Sequence, residues 1–336
     1  MMAIRRAMAV VVALVMTATF AAAQQAQQQA PKRNKQEQQE LERIVKAVDD
    51  VMAGQPAPAD STIALEPFFF RAADNKMFVP MVLTITNAPK TDSVMLIRIA
   101  PAGATFNPKE RKKVEYPWED AHFLTAAHVT GEPARLTRGF MAPAGTYDLY
   151  IALKERLPEK APKNAVAKTT VHKSSITVPD FFNGELSISS IMVVDKVNNL
   201  TAPLTPLEAR ERPLVFGATE IVPVSDMEFK KSEEFNLNFQ IYNAGLDANG
   251  KPDLVLEYEF FRADGAEEKP FNKTNPQTVN ASNIPPNYDA SKFPLPGGIG
   301  IPLTSFPEGS YRLAMKITDK VSGKVLTKDM KFTVKG

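Results

Sequence analysis

The spacing of apolar residues changes its period near residue 61 of this 336-residue chain. Over residues 38–53, apolar side chains recur at intervals of three and four, which is one face of an α-helix. Gly54 and Pro56 then end that pattern. Beyond residue 61 the period is two, in short segments rich in β-branched and aromatic residues. The pattern predicts one short amphipathic helix followed by an all-β chain.

The β-segments fall into two sets that are separated by turn residues. The first covers residues 62–71, 77–87, 93–100, 147–153 and 170–178, and the second 185–194, 235–244, 254–262, 310–318 and 325–334. Short strands without intervening helices are typical of a β-sandwich. Asn249-Gly250 and Ser322-Gly323 each lie between two segments of the second set and predict hairpins.

One phrase, P-x-G-[ST]-Y-x-L, occurs near the end of each set, at residues 143–149 and 307–313. We therefore expect one sandwich unit written twice, at residues 61–180 and 181–336. In immunoglobulin-like sandwiches, a tyrosine at this place donates a hydrogen bond to the preceding corner. Tyr147 and Tyr311 are accordingly interpreted as structural tyrosine corners. The predicted fold is all-β, with two tandem immunoglobulin-like (fibronectin type III-like) β-sandwiches.

The first 60 residues have the composition of a leader. Arg5 and Arg6 precede an apolar run over residues 7–23, and Ala21-Ala22-Ala23 fits a signal-peptidase site before Gln24. Residues 1–23 are predicted to be a secretory signal peptide, with an uncleaved membrane anchor as the alternative. Residues 24–60 would be a disordered, Gln-rich leader containing the helix, which must dock on its own sandwich or on a partner, or else fray.

Charge and cysteine content restrict the function further. The chain has 40 basic and 38 acidic residues, and loss of Arg5 and Arg6 with the signal peptide would leave 38 of each. Such a balance does not favour nucleic-acid binding. The chain has no cysteine, which excludes disulfides, thiol catalysis and a lipid-anchored precursor. We expect a periplasmic or secreted bacterial protein with no transmembrane anchor after cleavage.

The joint between the two units carries a family resemblance. V-P-D-F at 178–181, L-S-I-S-S-I at 186–191 and F-P-E-G-S-Y-R-L at 306–313 resemble the C-terminal β-domain of bacterial exported proteins related to the GWxTD family and similar acidobacterial secreted proteins. The G-W-x-T-D motif itself is absent, and the single tryptophan, Trp118, lies in P-W-E-D. The resemblance implies exported tandem β-sandwiches and transfers no catalytic residue.

Motifs for catalysis and metal binding are weak. His122 and His128 are six residues apart, which is not a recognised ligand spacing. The segment that starts at Asp247 is similar to a calcium loop, but Lys251 occupies the fifth position, where an oxygen ligand is needed. Carboxylates are numerous but scattered, so a hydrolase pair stays open. We predict no catalytic residue, no cofactor and no metal site.

The most informative stretch is polar and spans residues 271–293. It is predicted to be one long loop of the second sandwich, and long loops on rigid sandwiches often carry recognition. Its candidate ligand or partner residues are four asparagines and a tyrosine: Asn272, Asn275, Asn280, Asn287 and Tyr288. A loop that merely connects two strands is the alternative.

These observations together favour an exported, non-catalytic binding or scaffolding protein of the bacterial cell envelope. It would act through sandwich loops or sheet edges on an envelope protein or a glycan. An accessory carbohydrate-binding module and an enzyme with an unrecognised site are the two alternatives.

Overall fold

The computed structural model describes residues 33–104, 106–107, 115–158, 161–162, 164–265 and 267–336. The predicted signal peptide, the first residues of the leader and the basic run at 109–113 lie outside these residues. The chain divides into two compact units. We call residues 33–180 with 206–213 the N-terminal unit, and residues 181–205 with 214–336 the C-terminal unit.

Over its described residues, the N-terminal unit contains eight strands. They are β1 (Thr62–Pro67), β2 (Phe70–Arg71), β3 (Lys76–Thr86), β4 (Ser93–Pro101), β5 (Trp118–Leu124), β6 (Ala134–Pro143), β7 (Gly145–Glu155) and β8 (Thr169–Val178). In one sheet, β3 pairs with β1, β2 and β6. The other sheet has the order β5-β4-β7-β8. All of these pairings are antiparallel.

The C-terminal unit contains twelve strands of the described chain. They are β9 (Ser187–Ile188), β10 (Met192–Asn199), β11 (Val215–Phe216), β12 (Thr219–Pro223), β13 (Glu228–Lys230), β14 (Glu234–Tyr242), β15 (Asp253–Asp264), β16 (Glu267–Lys273), β17 (Gln277–Asn280), β18 (Leu295–Pro302), β19 (Gly309–Asp319) and β20 (Val325–Lys335). In one sheet, β14 pairs with β9, β10 and β18, and β10 continues to β12 and β11. The other has the order β13-β20-β19-β15-β16, with β17 also on β15.

The two units share one strand order. The series β3, β4, β6, β7 and β8 takes the same places as β14, β15, β18, β19 and β20. Even the register repeats, because Gly145 pairs with Val178 and Gly309 pairs with Val334. The predicted fold class of two immunoglobulin-like β-sandwiches is therefore confirmed.

One hairpin prediction is correct and the other is wrong. Ser322-Gly323 connects β19 to β20, which are antiparallel neighbours. Asn249-Gly250 lies in the connection from β14 to β15, and these strands belong to opposite sheets. Gly250 does adopt the positive φ (70°) that its turn requires. The Asn-Gly pair therefore predicted the backbone conformation of the turn correctly. It did not predict which sheet the next strand joins, because that depends on packing between the sheets.

Two α-helices occur in the described residues: α1 (Lys35–Met52) and α2 (Pro206–Glu211). Helix α1 begins three residues before the predicted start because Asn34 caps it. The Asn34 side chain accepts from the Glu37 amide, and the Glu37 carboxylate accepts from the Asn34 amide, at 2.9 and 3.0 Å. Neither helix is long and apolar enough to cross a membrane.

Helix α1 packs on its own unit, against the outer face of the sheet β5-β4-β7-β8. Ile44, Val48 and Val51 are the buried apolar residues of the helix. They join a cluster with apolar side chains of three strands, namely Val94, Leu96, Ala100, Tyr150, Ala152 and Val171. Strand β4 is thus buried on both faces over residues 93–100. Docking on the own sandwich, rather than fraying, supplies the stability that a single short helix lacks.

Two buried ion pairs fix the position of α1 on this sheet. The Arg98 side chain is only 1% exposed, and its Nη1 lies 2.6 Å from Asp49 Oδ1 of the helix. On its other side, Nη2 lies 2.5 Å from Glu119 Oε2, and the Tyr116 ring lies 4.1 Å from the guanidinium carbon. Nearer the start of the helix, Lys154 Nζ lies 2.7 Å from Glu40 Oε2.

We expect Asp49→Ala to lower the free energy of unfolding of the N-terminal unit by about 3–5 kcal/mol, because it leaves the buried Arg98 cation without its partner on the helix. Asp50→Ala is the matched control, since Asp50 is half exposed and pairs only with Lys46 on the helix surface. It should cost less than about 1 kcal/mol. Urea unfolding measures both. Equal losses in the two variants would show that Arg98 does not depend on Asp49.

Candidate functional site

Three connections meet at one end of the C-terminal unit, and we call this end the loop end. They are residues 243–252 between β14 and β15, 281–294 between β17 and β18, and 320–324 between β19 and β20. Hydrogen bonds join them: Lys251 Nζ donates to the Pro286 carbonyl at 2.9 Å, and the Gly245 amide donates to Asp319 at 2.6 Å. The loops therefore form one connected surface.

The carboxylate of Asp319 organises two of these loops. Asp319 has no exposed surface, and it accepts four hydrogen bonds. The amides of Val321 and Ser322 donate to Oδ1 at 3.0 and 3.2 Å, while the Gly245 amide and the Ser322 hydroxyl donate to Oδ2, each at 2.6 Å. A buried carboxylate with four donors is fully satisfied, so it holds the loops in one arrangement.

Gly245 and Asn243 allow the chain to close tightly here. A Cβ at Gly245 would lie 3.1 Å from Cβ of Val321 and 3.0 Å from the Ser322 amide nitrogen. Asn243 adopts a positive φ of 58°, and its side-chain amide donates to the carbonyls of Phe181 and Glu185. Asparagine is among the few side chains that accept this backbone conformation readily.

The loop at residues 281–294 is held by Tyr288. This residue is 8% exposed, packs in the core of the unit and donates its hydroxyl to the Pro294 carbonyl. Burial raises the pKa of Tyr288 to about 12. Farther along, a hydrogen bond from Lys292, aided by one from Ser291, lowers the pKa of Asp289 to about 2. Tyr288 thus anchors the loop to the core, and the hydrogen bonds of Asp289 fix the turn that follows.

The structure separates the predicted partner residues. Asn280, Asn287 and Tyr288 lie in or beside the loop end, whereas Asn272 lies one residue before the end of β16 and Asn275 lies in the turn before β17, along the edge of β15. The stretch at 271–293 is therefore not one long loop, because β16 and β17 occupy parts of it. Tyr288 is a packing residue, while Asn272, Asn275 and Asn287 stay exposed.

What the loop end presents to solvent is a mixture of apolar and amide groups. The side chains of Phe293 and Val321 are 42% and 40% exposed. Exposed polar residues of the same connection, Asn287, Ser291 and Lys292, flank Phe293. Apolar anchors with adaptable polar neighbours suit contact with a protein surface or a glycan.

In the described residues, β18 is the edge strand of its sheet, so its outer edge is a second candidate for partner contact. Its glycines permit close contact: a Cβ at Gly297 would lie 2.2 Å from the Phe239 ring. Gly297 and Gly298 are nevertheless buried, and the Tyr258 hydroxyl donates to the Gly298 carbonyl at 3.4 Å. Accessible backbone is thus limited to the end of the strand, near Gly300.

The two predicted corner tyrosines each make the hydroxyl-to-backbone hydrogen bond that defines a tyrosine corner. The Tyr147 hydroxyl donates to the Pro143 carbonyl at 3.0 Å, and the Tyr311 hydroxyl donates to the Pro307 carbonyl at 2.6 Å. Both rings are buried, at 8% and 2% exposure. Both tyrosines therefore serve packing and corner geometry.

A shallow groove of about 400 Å³ lies beside Tyr311, at the end of the unit opposite the loop end. Its acidic lining residues already have partners. Glu268 Oε2 lies 2.7 Å from Arg312 Nε, and Glu228 pairs with Lys335. Because internal pairs satisfy these charges, we place the candidate site at the loop end instead.

The histidines do not assemble a metal site. His122 is 5% exposed, with Nε2 3.4 Å from Asp120 Oδ2, and His128 Nε2 lies 3.9 Å from Glu211 Oε2. Over the residues that the structure describes, no three His, Cys, Asp or Glu side chains come together as ligands. Asp247 accepts from the amides of Asn249 and Lys251, both at 2.8 Å, as a turn and not as a cation loop.

No family model and no curated protein matches the chain. One solved structure with similarity is the native conformation of alpha-2-macroglobulin from E. coli, determined by cryo-electron microscopy. The identity is 9% and the TM-score 0.21, over 84% of this chain and 16% of that one. The chain spans under a fifth of that protein's length, and no argument about function rests on this similarity.

We expect Asp319→Ala to lower the free energy of unfolding of the C-terminal unit by about 2–4 kcal/mol, because three backbone amides lose their acceptor. Asp329→Ala is the control, since its exposed carboxylate pairs only with Arg312. It should cost less than about 1 kcal/mol. Hydrogen exchange at Gly245 and Ser322 should rise only in the Asp319 variant. Unchanged exchange there would contradict the organising role of Asp319.

The pKa of Tyr288 predicts an alkaline transition. Its folded-state pKa of about 12 is above its ordinary value of 10, so the neutral hydroxyl stabilises the folded state below pH 10. That contribution is lost as the pH rises from 10 through about 12. An NMR titration of ¹³Cζ-labelled tyrosine follows this ionisation, and Tyr288→Phe assigns the resonance. A midpoint near 10 in folded protein would show that the hydroxyl is solvated.

Proposed function

We propose that this chain is an exported, non-catalytic binding or scaffolding protein of the bacterial cell envelope, and that the loop end of its C-terminal unit contacts the partner. The observation that carries the proposal is the loop end itself. The buried Asp319 carboxylate fixes two of the loops and Tyr288 anchors the third, while Phe293 and Val321 remain exposed.

The energetic argument concerns the conformational entropy that loops lose when they bind a partner. Binding through mobile loops costs conformational entropy, whereas loops that are already held lose little on association. In this unit, Asp319, Asn243 and Tyr288 supply the holding contacts from beneath the surface. The exposed side chains above them are therefore available for a partner at low entropic cost. This division of roles is typical of recognition loops on a sandwich scaffold.

The export part of the proposal rests on the sequence. The basic residues Arg5 and Arg6, the apolar run at 7–23 and the small residues before Gln24 support a cleaved signal peptide. The absence of cysteine and the resemblance to the GWxTD-related exported proteins agree with a bacterial envelope location. Mass spectrometry of the protein recovered from its own organism would test this by finding Gln24 as the first residue.

Site-specific photo-cross-linking tests the binding part. A benzoylphenylalanine replaces Asn287 in the loop end, and a second variant carries it at Val197, another exposed position (41%) on β10. Cells are irradiated, and the adducts are identified by mass spectrometry. We expect one dominant protein adduct from position 287 and none from position 197. Adducts of equal pattern at both positions would contradict a specific site at the loop end.

A matched pair of substitutions measures how much the loop end contributes to binding affinity. Val321→Ser removes apolar surface from the loop end, and Val197→Ser removes the same group elsewhere in the C-terminal unit. Once the partner is purified, the first variant should weaken binding about 5- to 30-fold, as expected for an interface residue worth about 1–2 kcal/mol. The second should bind like wild type. Retention on polysaccharide without any protein adduct would instead favour the carbohydrate-binding alternative.

A further inference from the structure

Strand β20 leaves a row of backbone groups open beside the loop end. It follows directly on the loop at 320–324 and pairs with β19 over residues 325–334. On its outer side, β13 pairs with residues 333–335 only. The Thr333 amide donates outward there, to the Met227 carbonyl at 2.8 Å. Because the register is regular, the odd-numbered residues before Thr333 also direct their N–H and C=O groups outward.

Residues 325–331 therefore form an open edge within the described chain. No hydrogen bond from the described residues reaches the outward amides and carbonyls of Val325, Thr327, Asp329 and Lys331. The side chain of Val325 is also 54% exposed. At about 3.4 Å per residue, this edge is about 20 Å long, which suits a strand of the usual length.

Strand β8 of the N-terminal unit is the equivalent of β20. Its register ends at Val178 as that of β20 ends at Val334, each opposite the glycine that begins the preceding strand. Neither ladder contains a shift, so Val171 takes the place of Thr327, seven positions before each of these ends. What borders Val171 therefore indicates what the outer edge at Thr327 can accept.

A segment of the same chain, residues 58–60, lies on this edge of β8. The Val171 amide donates to the Pro58 carbonyl at 2.8 Å, and the Asp60 amide donates to the Thr169 carbonyl at 3.3 Å. Ala59 between them forms an antiparallel bridge to β8. Over the described residues, no segment takes the corresponding place on β20. The fold thus accepts an antiparallel strand at this edge, and only the N-terminal unit supplies one itself.

The side chains along the open edge indicate what kind of strand would fit. Leu326, Lys328 and Met330 share the core-facing side of β20 with the buried Phe332. Leu326 and Met330 pack against the core but are only half-buried. Lys328 between them is exposed and forms no ion pair with a described residue. An added strand would complete the burial of the two apolar side chains and could supply an anion opposite Lys328.

The charge of this edge also disfavours one occupant, a second copy of the chain. Two copies paired through β20 would bring Lys328 and Lys331 of one copy close to the same cations of the other, and like charges across strands are destabilising. Lysines on an open edge commonly prevent such self-association. The same cations attract an acidic strand, so the edge distinguishes between partners by charge.

We propose that an extended, acidic segment of the partner protein adds to the C-terminal unit as a strand antiparallel to β20, along residues 325–331. This inference rests on the proposed function, because it states how a partner held at the loop end continues along the sandwich. The partner residues opposite Leu326, Lys328 and Met330 are apolar, acidic and apolar, at positions i, i+2 and i+4. Backbone hydrogen bonds supply affinity, and this row of side chains supplies specificity.

Hydrogen exchange in the free, full mature chain tests the open edge. NMR should show fast exchange for the amides of Thr327, Asp329 and Lys331. It should show slow exchange for those of Lys328 and Met330, because they donate to β19. Slow exchange at all five amides would mean that another part of the chain covers the edge, and it would overturn the proposal.

Binding is measured with the partner that the cross-linker at position 287 identifies. Thr327→Pro removes one outward N–H, and proline is tolerated on an edge strand. Thr327→Val is the matched control because it keeps that N–H. We expect the proline variant to bind about 10-fold more weakly and the valine variant to bind like wild type. If both bind like wild type while Val321→Ser weakens binding, the edge proposal fails and the loop end stands.

Charge reversal decides the question if Thr327→Pro does not fold. Lys328→Glu should weaken the same complex about 3- to 10-fold, because it places a negative charge opposite the acidic residue of the partner. Lys196→Glu is the control, at an exposed position of β10. Equal effects of the two reversals would contradict a specific acidic strand on β20.

A cross-linker on the strand itself identifies the bound segment. Benzoylphenylalanine at Val325 should capture a segment of the same partner in which an acidic residue stands between two apolar residues, each two positions away. A captured segment without that pattern would overturn the proposal, as would an adduct from position 287 with none from 325. The absence of adducts from both positions would overturn the proposed function as well.

Discussion

The buried contact between Arg98 and Asp49 is the constraint on which the organisation of the N-terminal unit depends. Arg98 already pairs on one side with Glu119 of the same sheet, and a covering element that supplies an anion on its other side satisfies the buried guanidinium. Helix α1 supplies Asp49 there, and its apolar residues cover the surrounding apolar side chains of the sheet. Charge and hydrophobic area thus select the same partner, and the short helix is ordered although it could not persist alone.

The C-terminal unit repeats the fold without repeating this cover. The matching face of β19 presents Arg312, Ala314 and Lys316, and Lys316 pairs with Glu257 of the neighbouring strand at 3.3 Å. Such a face is already satisfied by its own ion pairs and by water. One architecture therefore carries two different outer surfaces, because β4 is buried on both faces whereas the equivalent strand β15 alternates between buried and half-buried residues.

The sequence predicted those features that depend on short-range patterns. The repeated phrase around Tyr147 and Tyr311 identified two equivalent corners, and the change of period separated helix from strands. Contacts between residues distant in sequence were not predictable in this way. Asp319 looked like any acidic residue at a strand end, although it receives the Gly245 amide from 74 positions away. The hairpin predicted at Asn249-Gly250 was wrong for the same reason, because the turn preference of two residues does not determine which sheet the next strand joins. A usable signal was overlooked in β4, where Arg98 interrupts an otherwise apolar run.

The N-terminal unit is discontinuous in sequence, because residues 206–213 return to it after the chain has begun the C-terminal unit. A fragment cut at residue 180 would carry every strand of the first sandwich, yet it would lose Arg210, which pairs with Asp120, and the Glu211 carbonyl, which accepts a hydrogen bond from Arg138. During synthesis, this unit cannot be completed until the ribosome has passed residue 213. The two tandem sandwiches are thus not fully independent modules. Residues 206–213 lie within the sequence of the second sandwich but belong to the first unit, so a deletion or exchange of the second sandwich must keep them.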